Sequence, residues 1–403
     1  MTSMISVAEA VSIVKKQSPR LPDERVALAD ALNRVLAESV VADSDLPPFD
    51  RAQMDGYAVR SADTVPAGAR LRLVGESAAG RGWHEELKPG EAVRIMTGAP
   101  VPVGADSVQK VEVTTEQDGR VSVAEATSTG QFIVKRASEI KLGQTVLEAG
   151  EEINAARMAV LASFGYAEVK VGKRPRAAVL ATGTELVAVN ETPGVDQIRD
   201  SNTYSLAAYA QLAGATVERL PLAGDDPELL KREIAAAATR SDVLVLSGGV
   251  SMGVYDFTKT ALRELDAEIF FERVSLRPGK PTVFARLGDT LVFGLPGNPV
   301  SVSVTFNLFA RTALRAMQGC KEAAMPEERA VLARSVKGSR ERASYLPARL
   351  LTDEAGRLVA EALKWGGSSD FVAFARATAL VVVPEGVPIL DGGAVVRVVR
   401  LPG

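Results

Sequence analysis

Apolar runs that end in glycine turns are the most regular pattern in the chain. Three of them are AAVLATGTEL (177–186), DVLVLSGGVSMGVYD (242–256) and TLVFGLPGNPVSVSVTF (290–306). Each run predicts a buried strand, a tight turn and then a helical stretch, where backbone N–H groups favour an anion. Because the carboxyl ends of parallel strands meet at one edge of a sheet, these turns predict a single crevice there.

The wider pattern around these runs predicts a doubly wound α/β domain over residues 174–325. Helices are expected near 203–213 and 256–266, and one long helix over Pro299–Arg315. A further helix should begin at Pro227, with Asp226 as its N-terminal cap.

The segments outside this domain have a different texture. Residues 46–141 are rich in glycine, proline and short alternating runs, which predicts a β-rich domain. Helical spacing at 6–17 and 24–36, and again in NAARMAVLASFG, suggests that 1–45 and 142–173 together form a discontinuous first domain that holds this insertion. Residues 326–403 return to short strands and predict a small β-barrel.

Composition excludes several classes of chemistry. The 403 residues carry a net charge of −3, so no basic footprint for nucleic acid is expected. One cysteine and one histidine exclude an internal disulfide and make a thiolate or histidine metal site improbable, which favours a hard cation on oxygen ligands. The N-terminal stretch has no cleavable signal pattern and no run is long enough to span a membrane, so a cytoplasmic protein is expected.

The turns of the α/β segment supply the candidate site. Thr182, Gly183 and Glu185 belong to the first turn, where Glu185 is equally explained as an acid in the first turn of a helix. The second turn has three glycines and two serines in seven residues, which favours an anion site; its candidates are Ser247, Gly248, Gly249 and Ser251, followed by Asp256. Carboxylates beside an anion suggest a bridging metal, with Glu185, Asp225, Asp226 and Asp256 as candidate ligands.

Two proline–glycine turns add further candidates. LRPGKP (276–281) supplies Arg277 and Lys280 as cations for phosphate, or simply as a solvated surface turn. LPGNPVS (295–301) supplies Pro296, Gly297, Asn298 and Pro299, with Asn298 expected to cap the following helix.

The β-rich segment offers weaker signals. Asp55 precedes Gly56, an Asp-Gly pair that is ordinarily a turn signal, and Thr97-Gly98 follows an apolar strand. The charged run VKRASEIKLG (134–143) is typical of a solvated face, and the single His84 is given no role.

Taken together, the motifs resemble those of the MoeA-type molybdopterin molybdenumtransferases and the corresponding region of gephyrin. The resemblance rests on FDRAQMDGYAVR, RIMTGAPVPVGAD, ATGTELV, IRDSNTYSL, SGGVSMGVYDFTK, LRPGKP and FGLPGNPVSV, which occur in the order and spacing of that family. It runs from near residue 5 to the C-terminus and implies a multidomain α/β plus β protein, in which the central α/β domain is MogA-like.

The resemblance implies the last step of molybdenum cofactor assembly. Such enzymes take adenylylated molybdopterin and molybdate, release AMP with a divalent cation such as Mg²⁺, and place molybdenum on the dithiolene. They are homodimers whose active site lies between the α/β domain of one subunit and the β segment of the other. The matching catalytic positions here are Asp55, Thr97, Glu185, Asp226 and Asp256. Partners expected by the same resemblance are other cofactor-assembly proteins and molybdoenzyme chaperones.

This chain departs from the family pattern in places. Arg51-Ala52-Gln53 stands where the family commonly has Asn-Ser-Ala, and Val134 stands in place of an arginine. Glu139 replaces an aspartate, while Arg342, Arg349 and Ser368 match the later family positions loosely. These departures leave open a non-catalytic pterin carrier or scaffold. A molybdopterin adenylyltransferase is a second alternative, because α/β domains of the type that the resemblance implies also adenylylate molybdopterin.

Overall fold

A computed structural model describes residues 4–224, 226–249 and 257–402 of the chain. The chain forms two compact units. The first contains the described residues of 1–38, 149–154 and 168–403, and the second contains 39–148 and 155–167. The chain therefore leaves the first unit and returns to it twice.

A six-stranded sheet forms the centre of the first unit. Its first four strands are parallel to one another, the fifth pairs antiparallel to the fourth, and the sixth pairs antiparallel to the fifth. In spatial order the strands are Thr216–Arg219, Arg176–Ala181, Val243–Ser247, Thr290–Leu295, Val283–Leu287 and Glu268–Phe271. The three inner parallel strands, Arg176–Ala181, Val243–Ser247 and Thr290–Leu295, are almost wholly buried, as expected when helices cover both faces of a sheet.

Alternate side chains of these strands enter two separate cores. Val179, Val245 and Phe293 face one core, whereas Leu180 and Leu244 face the other. Helices Asn202–Leu212 and Pro299–Thr305 cover the first face, and the latter continues through a π-helical turn, Phe306–Ala310, into Arg311–Met317. Helices Pro227–Ala238 and Phe257–Glu264 cover the second face. The predicted doubly wound α/β fold is confirmed.

The C-terminal strands close into the predicted β-barrel. Ala343–Thr352 pairs with both Leu358–Ala362 and Ala379–Val383, and the ring is completed through Glu327–Leu332 and Val395–Arg400. Smaller elements are the strand pair Val336–Lys337 with Ile389–Leu390, the strand Leu276–Arg277 at the barrel edge, and the short helix Phe371–Phe374.

The second unit is mainly β-structure, as the alternating runs predict. Its six-stranded sheet has the spatial order Ser107–Lys110, Gly56–Val59, Glu91–Ile95, Ala69–Ser77, Arg120–Val123 and Thr114–Gln117. Short strand pairs join Arg51–Ala52 to Ile133–Val134 and Val40–Val41 to Thr145–Leu147, and short 3-10 turns span Ser61–Thr64 and Val111–Val113. Helix Ala155–Ser163 also belongs to this unit.

One predicted helix is wrong. The spacing at 6–17 does form a helix, Val7–Gln17, which Ser6 caps by accepting a hydrogen bond from the Glu9 N–H. Residues 24–36 do not: Asp23–Ala27 is a strand paired with Glu168–Gly172, followed by a single 3-10 turn, Leu28–Asp30. Pairing with a strand that is distant in sequence overrides the local helical spacing.

In the described part of the chain, no helix combines the length and the apolar character needed to span a bilayer.

Candidate functional site

Three turns meet at the carboxyl edge of the central sheet. The Thr182 N–H donates to the Ser247 carbonyl at 2.9 Å, and the Gly248 N–H donates to the Leu295 carbonyl at 3.1 Å. The backbones of Gly248 and Gly297 approach so closely that a Cβ added to Gly297 would lie 3.7 Å from the Gly248 Cα. The predicted convergence of the turns therefore holds for their described residues.

Glycine is required at two of these positions. Gly248 has a φ of +93°, and a Cβ there would lie 2.5 Å from the Thr182 carbonyl oxygen. Gly183 has a φ of +146°, and a Cβ there would lie 2.4 Å from Oε2 of Glu185. Only glycine adopts these angles readily, and its missing side chain leaves the space that the neighbouring oxygens occupy.

The turns form one wall of a cavity of about 690 Å³, which we call the strand-end pocket. This volume suits a small-molecule substrate. Of the predicted site residues, the pocket is lined by Thr182, Glu185, Ser247, Gly248, Gly297, Asn298 and Pro299. Leu186, residues of the segment 193–202, and Ser369 and Phe371 of the C-terminal region complete its lining.

Asn202 connects the turns and was not predicted as a site residue. Its Nδ2 donates to the Ser247 Oγ at 2.9 Å and to the Gly297 carbonyl at 2.7 Å. Its Oδ1 is buried and has no hydrogen-bond partner among the described residues. An unpaired buried acceptor is unfavourable, so this oxygen is suited to receive a donor or a cation from a ligand. The motif IRDSNTYSL contains the residue but does not single it out.

Glu185 lies in a turn and not in a helix. The Leu186 N–H donates to the Gly183 carbonyl, and the chain then forms a short strand, Leu186–Val187, that pairs in parallel with Ile198–Arg199. The expectation of a helical first turn is therefore wrong, because this strand pairing delays the helix until Asn202. The exposed Glu185 side chain lines the pocket and folds back over Gly183.

A second carboxylate at the pocket, Asp200, is occupied by local structure. It is 4% exposed and accepts hydrogen bonds from the Thr203 N–H and the Thr203 hydroxyl. These bonds satisfy the first turn of helix Asn202–Leu212. Glu185 is thus the carboxylate at the pocket, among the described residues, that remains available to a ligand.

The other predicted metal ligands do not join Glu185 in the described structure. Asp226 caps its helix as expected, because Oδ1 accepts from the Glu228 and Leu229 N–H groups at 3.0 and 3.1 Å, and it does not line the pocket. Asp225, Ser251 and Asp256 lie outside the described residues. Within 4–224, 226–249 and 257–402 there is no group of three or more His, Cys, Asp or Glu side chains suited to a metal ion.

A second cavity of about 790 Å³, which we call the cationic cleft, adjoins the first. Its charged lining residues are all basic: Arg277, Lys280, Arg334, Lys337, Arg342 and Lys364. Among the described residues only Arg334 has a carboxylate within 4 Å, Glu361 at 3.9 Å. The remaining positive charge is uncompensated by local carboxylates, which suits the cleft to an anion.

The barrel supplies most of this charge. The turn at 277–281 contributes two of the basic residues, and the segment 334–342 with Lys364 contributes four. The Arg277 and Arg342 side chains reach the backbone carbonyls of Gly338 and Leu276, each at 3.4 Å. The sequence predicts Arg277 and Lys280 as candidate cations and Arg342 as a loose match to a family position. The basic run RSVKGSRER (334–342) is a signal for Arg334 and Lys337, whereas no sequence signal indicates Lys364. Arg349 lies elsewhere on the barrel and donates to the Arg376 carbonyl.

Asn298 lines both cavities and separates them. Its Nδ2 donates to the Ser368 Oγ at 3.0 Å, so its side chain makes no cap for the helix that follows. The expected capping role of its side chain is therefore wrong. The Ser368 carbonyl instead accepts from the Val300 N–H at 3.0 Å, and this bond satisfies one N–H of the first helical turn. Lys280 and Pro296 line the cleft only.

The predicted residues of the second unit contact each other. Asp55 Oδ1 accepts from both the Thr97 N–H and the Thr97 hydroxyl at 2.7 Å. These hydrogen bonds hold the pKa of Asp55 below its ordinary value, because they stabilise the ionised form. The charged run at 134–143 behaves as the predicted solvated face, with Lys135 bonded to Asp50 at 2.7 Å. Glu139 forms an ion pair with Arg51 at 3.2 Å, two positions that depart from the family pattern.

Comparison with known families now identifies the class of protein. Residues 5–165 match the MoeA N-terminal region (domain I and II), and residues 178–316 match a probable molybdopterin-binding domain. Residues 329–401 match the MoeA C-terminal region (domain IV). The three matches follow one another and define a multidomain protein of molybdenum cofactor biosynthesis.

Individual relatives give the same result over nearly the whole chain. The molybdopterin molybdenumtransferase of Staphylococcus aureus (strain COL) is 34% identical over 386 residues, which are 95% of this chain and 92% of the relative. The enzyme of the same name from Bacillus subtilis (strain 168) is 34% identical over 98% of this chain and 94% of its own. The crystal structure of a molybdopterin biosynthesis MoeA protein from Pyrococcus horikosii has 31% identity, complete coverage of both chains and a TM-score of 0.80. The chain belongs to the MoeA family of molybdopterin molybdenumtransferases, as its motifs indicate.

Proposed function

We propose that this chain inserts molybdenum from molybdate into adenylylated molybdopterin, with Mg²⁺-dependent release of AMP. The observation that carries the proposal is the pair of adjacent cavities that share Asn298. One cavity offers backbone groups, hydroxyls and a single available carboxylate, whereas the charged side chains of the other are all basic. A large phosphorylated substrate beside a small free oxyanion requires two such environments next to each other.

The strand-end pocket is assigned to the adenylylated pterin. The turns at Thr182 and Ser247 end parallel strands, the position at which α/β folds bind nucleotide-like ligands. The Asn202 Oδ1 and the hydroxyl of Ser247 supply an acceptor and a donor close to each other. The volume of about 690 Å³ accommodates a ligand of drug-like size.

The cationic cleft is assigned to molybdate. A dianion loses much of its hydration on binding, and basic side chains and hydroxyls replace that hydration. Lys280 and Arg342 provide charge, and Ser301 and Ser368 line the same cleft with hydroxyl groups. Its position beside the pocket would hold the oxyanion next to the bound pterin until the adenylate leaves.

The donors at the pocket fit a magnesium ion that arrives with the substrate phosphates. Mg²⁺ prefers oxygen ligands and is commonly bound by one or two carboxylates together with phosphate oxygens. Glu185 is the described carboxylate that would hold it, and the unpaired Asn202 Oδ1 is a second oxygen donor. When bound, the ion would neutralise charge on the phosphates during cleavage of the adenylate. Asp225 and Asp256 remain predicted ligands from the sequence.

The homodimer and the contribution of Asp55 and Thr97 to the active site are also part of the proposal. They follow from the resemblance to the family. Mixing Asp55→Asn and Glu185→Gln variants tests both points, because only a mixed dimer contains one site with neither substitution. Recovery of AMP release after subunit exchange would support the arrangement, and no recovery despite exchange would contradict it.

The deciding experiment incubates the protein with adenylylated molybdopterin, Mg²⁺ and molybdate, and follows AMP. Release that depends on both molybdate and Mg²⁺ supports the proposal, and replacing molybdate by tungstate shows which oxyanion is preferred. Consumption of ATP with molybdopterin would instead indicate an adenylyltransferase. Pterin binding without AMP release, unaffected by Asp256→Asn, would indicate a carrier.

A further inference from the structure

Phe371 is an exposed aromatic side chain in a cavity whose lining contains both polar and apolar residues. It lies in the short helix of the C-terminal region and lines the strand-end pocket together with Ser369. It is 51% exposed, and it is the one aromatic residue lining this pocket among the described residues. Ile198, which is 59% exposed, lines the same pocket from the segment that follows the first turn. The pocket thus contains exposed apolar surface contributed by two distant parts of the chain.

The position of Phe371 is fixed by the residues on both sides of it. Asp370 accepts from the Gly366 N–H at 2.8 Å and from the Ala373 N–H at 3.1 Å, which closes the segment into a capped turn. The Ser368 carbonyl accepts from the Val300 N–H, and Phe374 is buried in the main core of the first unit. The segment is therefore anchored at both ends, and the exposure of Phe371 is a defined feature of the fold.

We propose that Phe371 stacks against the planar heteroaromatic ring of the substrate and sets the selectivity of the strand-end pocket for that ring. This inference rests on the proposed function, since it concerns the same pocket and a ligand that carries both a pterin and an adenine. Both rings present the flat, polarisable face that an aromatic side chain contacts favourably. Phe371 makes no hydrogen bond with its side chain, so it is a positioning and specificity residue and takes no part in bond cleavage.

The location of Phe371 also restricts where the bound ring can lie. The segment that carries it contributes Gly366, Gly367 and Ser368 to the cationic cleft, and Ser369 and Phe371 to the pocket. A ring stacked on Phe371 therefore lies against the wall shared with the cleft, where the oxyanion is proposed to bind. The C-terminal region thereby contributes to recognition of the organic substrate as well as to the charge of the cleft.

The test compares Phe371→Ala, Phe371→Trp and Val372→Ala by titration calorimetry with three probes. AMP and neopterin each carry one of the two rings, and ribose 5-phosphate carries none. Val372 is the matched control, because it is the next residue, is 62% exposed and does not line the pocket. Loss of one aromatic stacking contact corresponds to roughly 5- to 150-fold weaker binding. Thermal denaturation checks that each variant is folded.

The expected result is that Phe371→Ala weakens binding of AMP, of neopterin or of both, while ribose 5-phosphate binds as before. The ring whose binding falls is the ring that stacks, and Phe371→Trp should restore it. Equal weakening of AMP and ribose 5-phosphate, the same loss in Val372→Ala, or no binding of either ring by the unaltered protein would overturn the inference.

Parallel AMP-release assays separate this inference from the proposed function. Molybdate-dependent release with an unchanged substrate KM in Phe371→Ala would refute the role of Phe371 and leave the function intact. If Phe371→Ala loses binding of one ring but the unaltered protein releases no AMP, the role of Phe371 would be supported and the proposed function would be refuted.

Discussion

Replacing Lys280 by glutamine should weaken the use of molybdate without slowing the chemical step. Lys280 lines the cationic cleft, is partly exposed, and has no carboxylate within 4 Å among the described residues. The substitution removes one positive charge from a cleft whose charged residues are all basic, and it keeps a polar side chain of similar length.

The size of the effect follows from Coulomb's law. Two unit charges 4 Å apart attract by about 1 kcal/mol in water and by about 4 kcal/mol at an effective dielectric of 20. Because the cleft is open to solvent, we use a value near that of water and double it for a dianion, which is about 2 kcal/mol. This corresponds to a rise of roughly 30-fold in the KM for molybdate. The kcat should be unchanged, since the charge acts on a binding step.

The assay is AMP release at varied molybdate concentration and at two ionic strengths. Salt screens the attraction between the basic side chains and molybdate, so raising its concentration should raise the KM for molybdate. The rise should be larger for the unaltered protein than for Lys280→Gln, because the variant has already lost part of that attraction. Lys173→Gln is the control, an exposed lysine of the same unit that does not line the cleft. A KM for molybdate of Lys280→Gln within twofold of that of the control would refute the assignment of the cationic cleft to molybdate.

Three further predictions concern single contacts. Asp226→Ala should lower the free energy of unfolding by about 1 kcal/mol in urea denaturation, and Asp226→Asn should lower it less, because asparagine also caps helices. A folded Asp226→Asn variant without AMP release would show instead that the carboxylate charge is needed. Gly183→Ala should reduce AMP release by about 100-fold, because the added Cβ would displace the Glu185 carboxylate. Unchanged kinetics would contradict the close approach of the Glu185 carboxylate to Gly183. Thr97→Val should raise the pKa of Asp55 towards its ordinary value of 3.8, as measured by carbon NMR of the carboxyl.

The pH dependence of the last contact has a definite sign. The pKa of Asp55 is lowered in the folded state, so its hydrogen bonds with Thr97 favour folding at pH values above the ordinary pKa of 3.8. That contribution is lost as the pH falls through the lowered pKa. Thr97→Val should therefore reduce the acid dependence of stability attributable to this carboxylate, while a titration identical to that of the unaltered protein would contradict the contact.

Local sequence alone determined the α/β fold, the barrel and several turns of the site. Buried strands such as Val243–Ser247 have continuous apolar runs, and Gly183 and Gly248 mark backbone angles that other residues rarely adopt. These properties depend on a residue and its near neighbours, so they can be predicted without the fold. The helical cap at Asp226 is of the same kind.

Tertiary structure alone decided which of these residues share a cavity. The C-terminal region brings Arg342 and Lys364 to the turn of Lys280, and it places Phe371 at the strand-end pocket, more than 120 positions after Ser247 in the printed sequence. Tertiary contacts also changed two predicted roles. The Asn298 side chain bonds to Ser368 and does not cap its helix, and a short strand follows Glu185 where a helix was expected. Such outcomes depend on pairing and packing between segments far apart in the chain. The local pattern of one segment contains no information about which distant segment will pack against it.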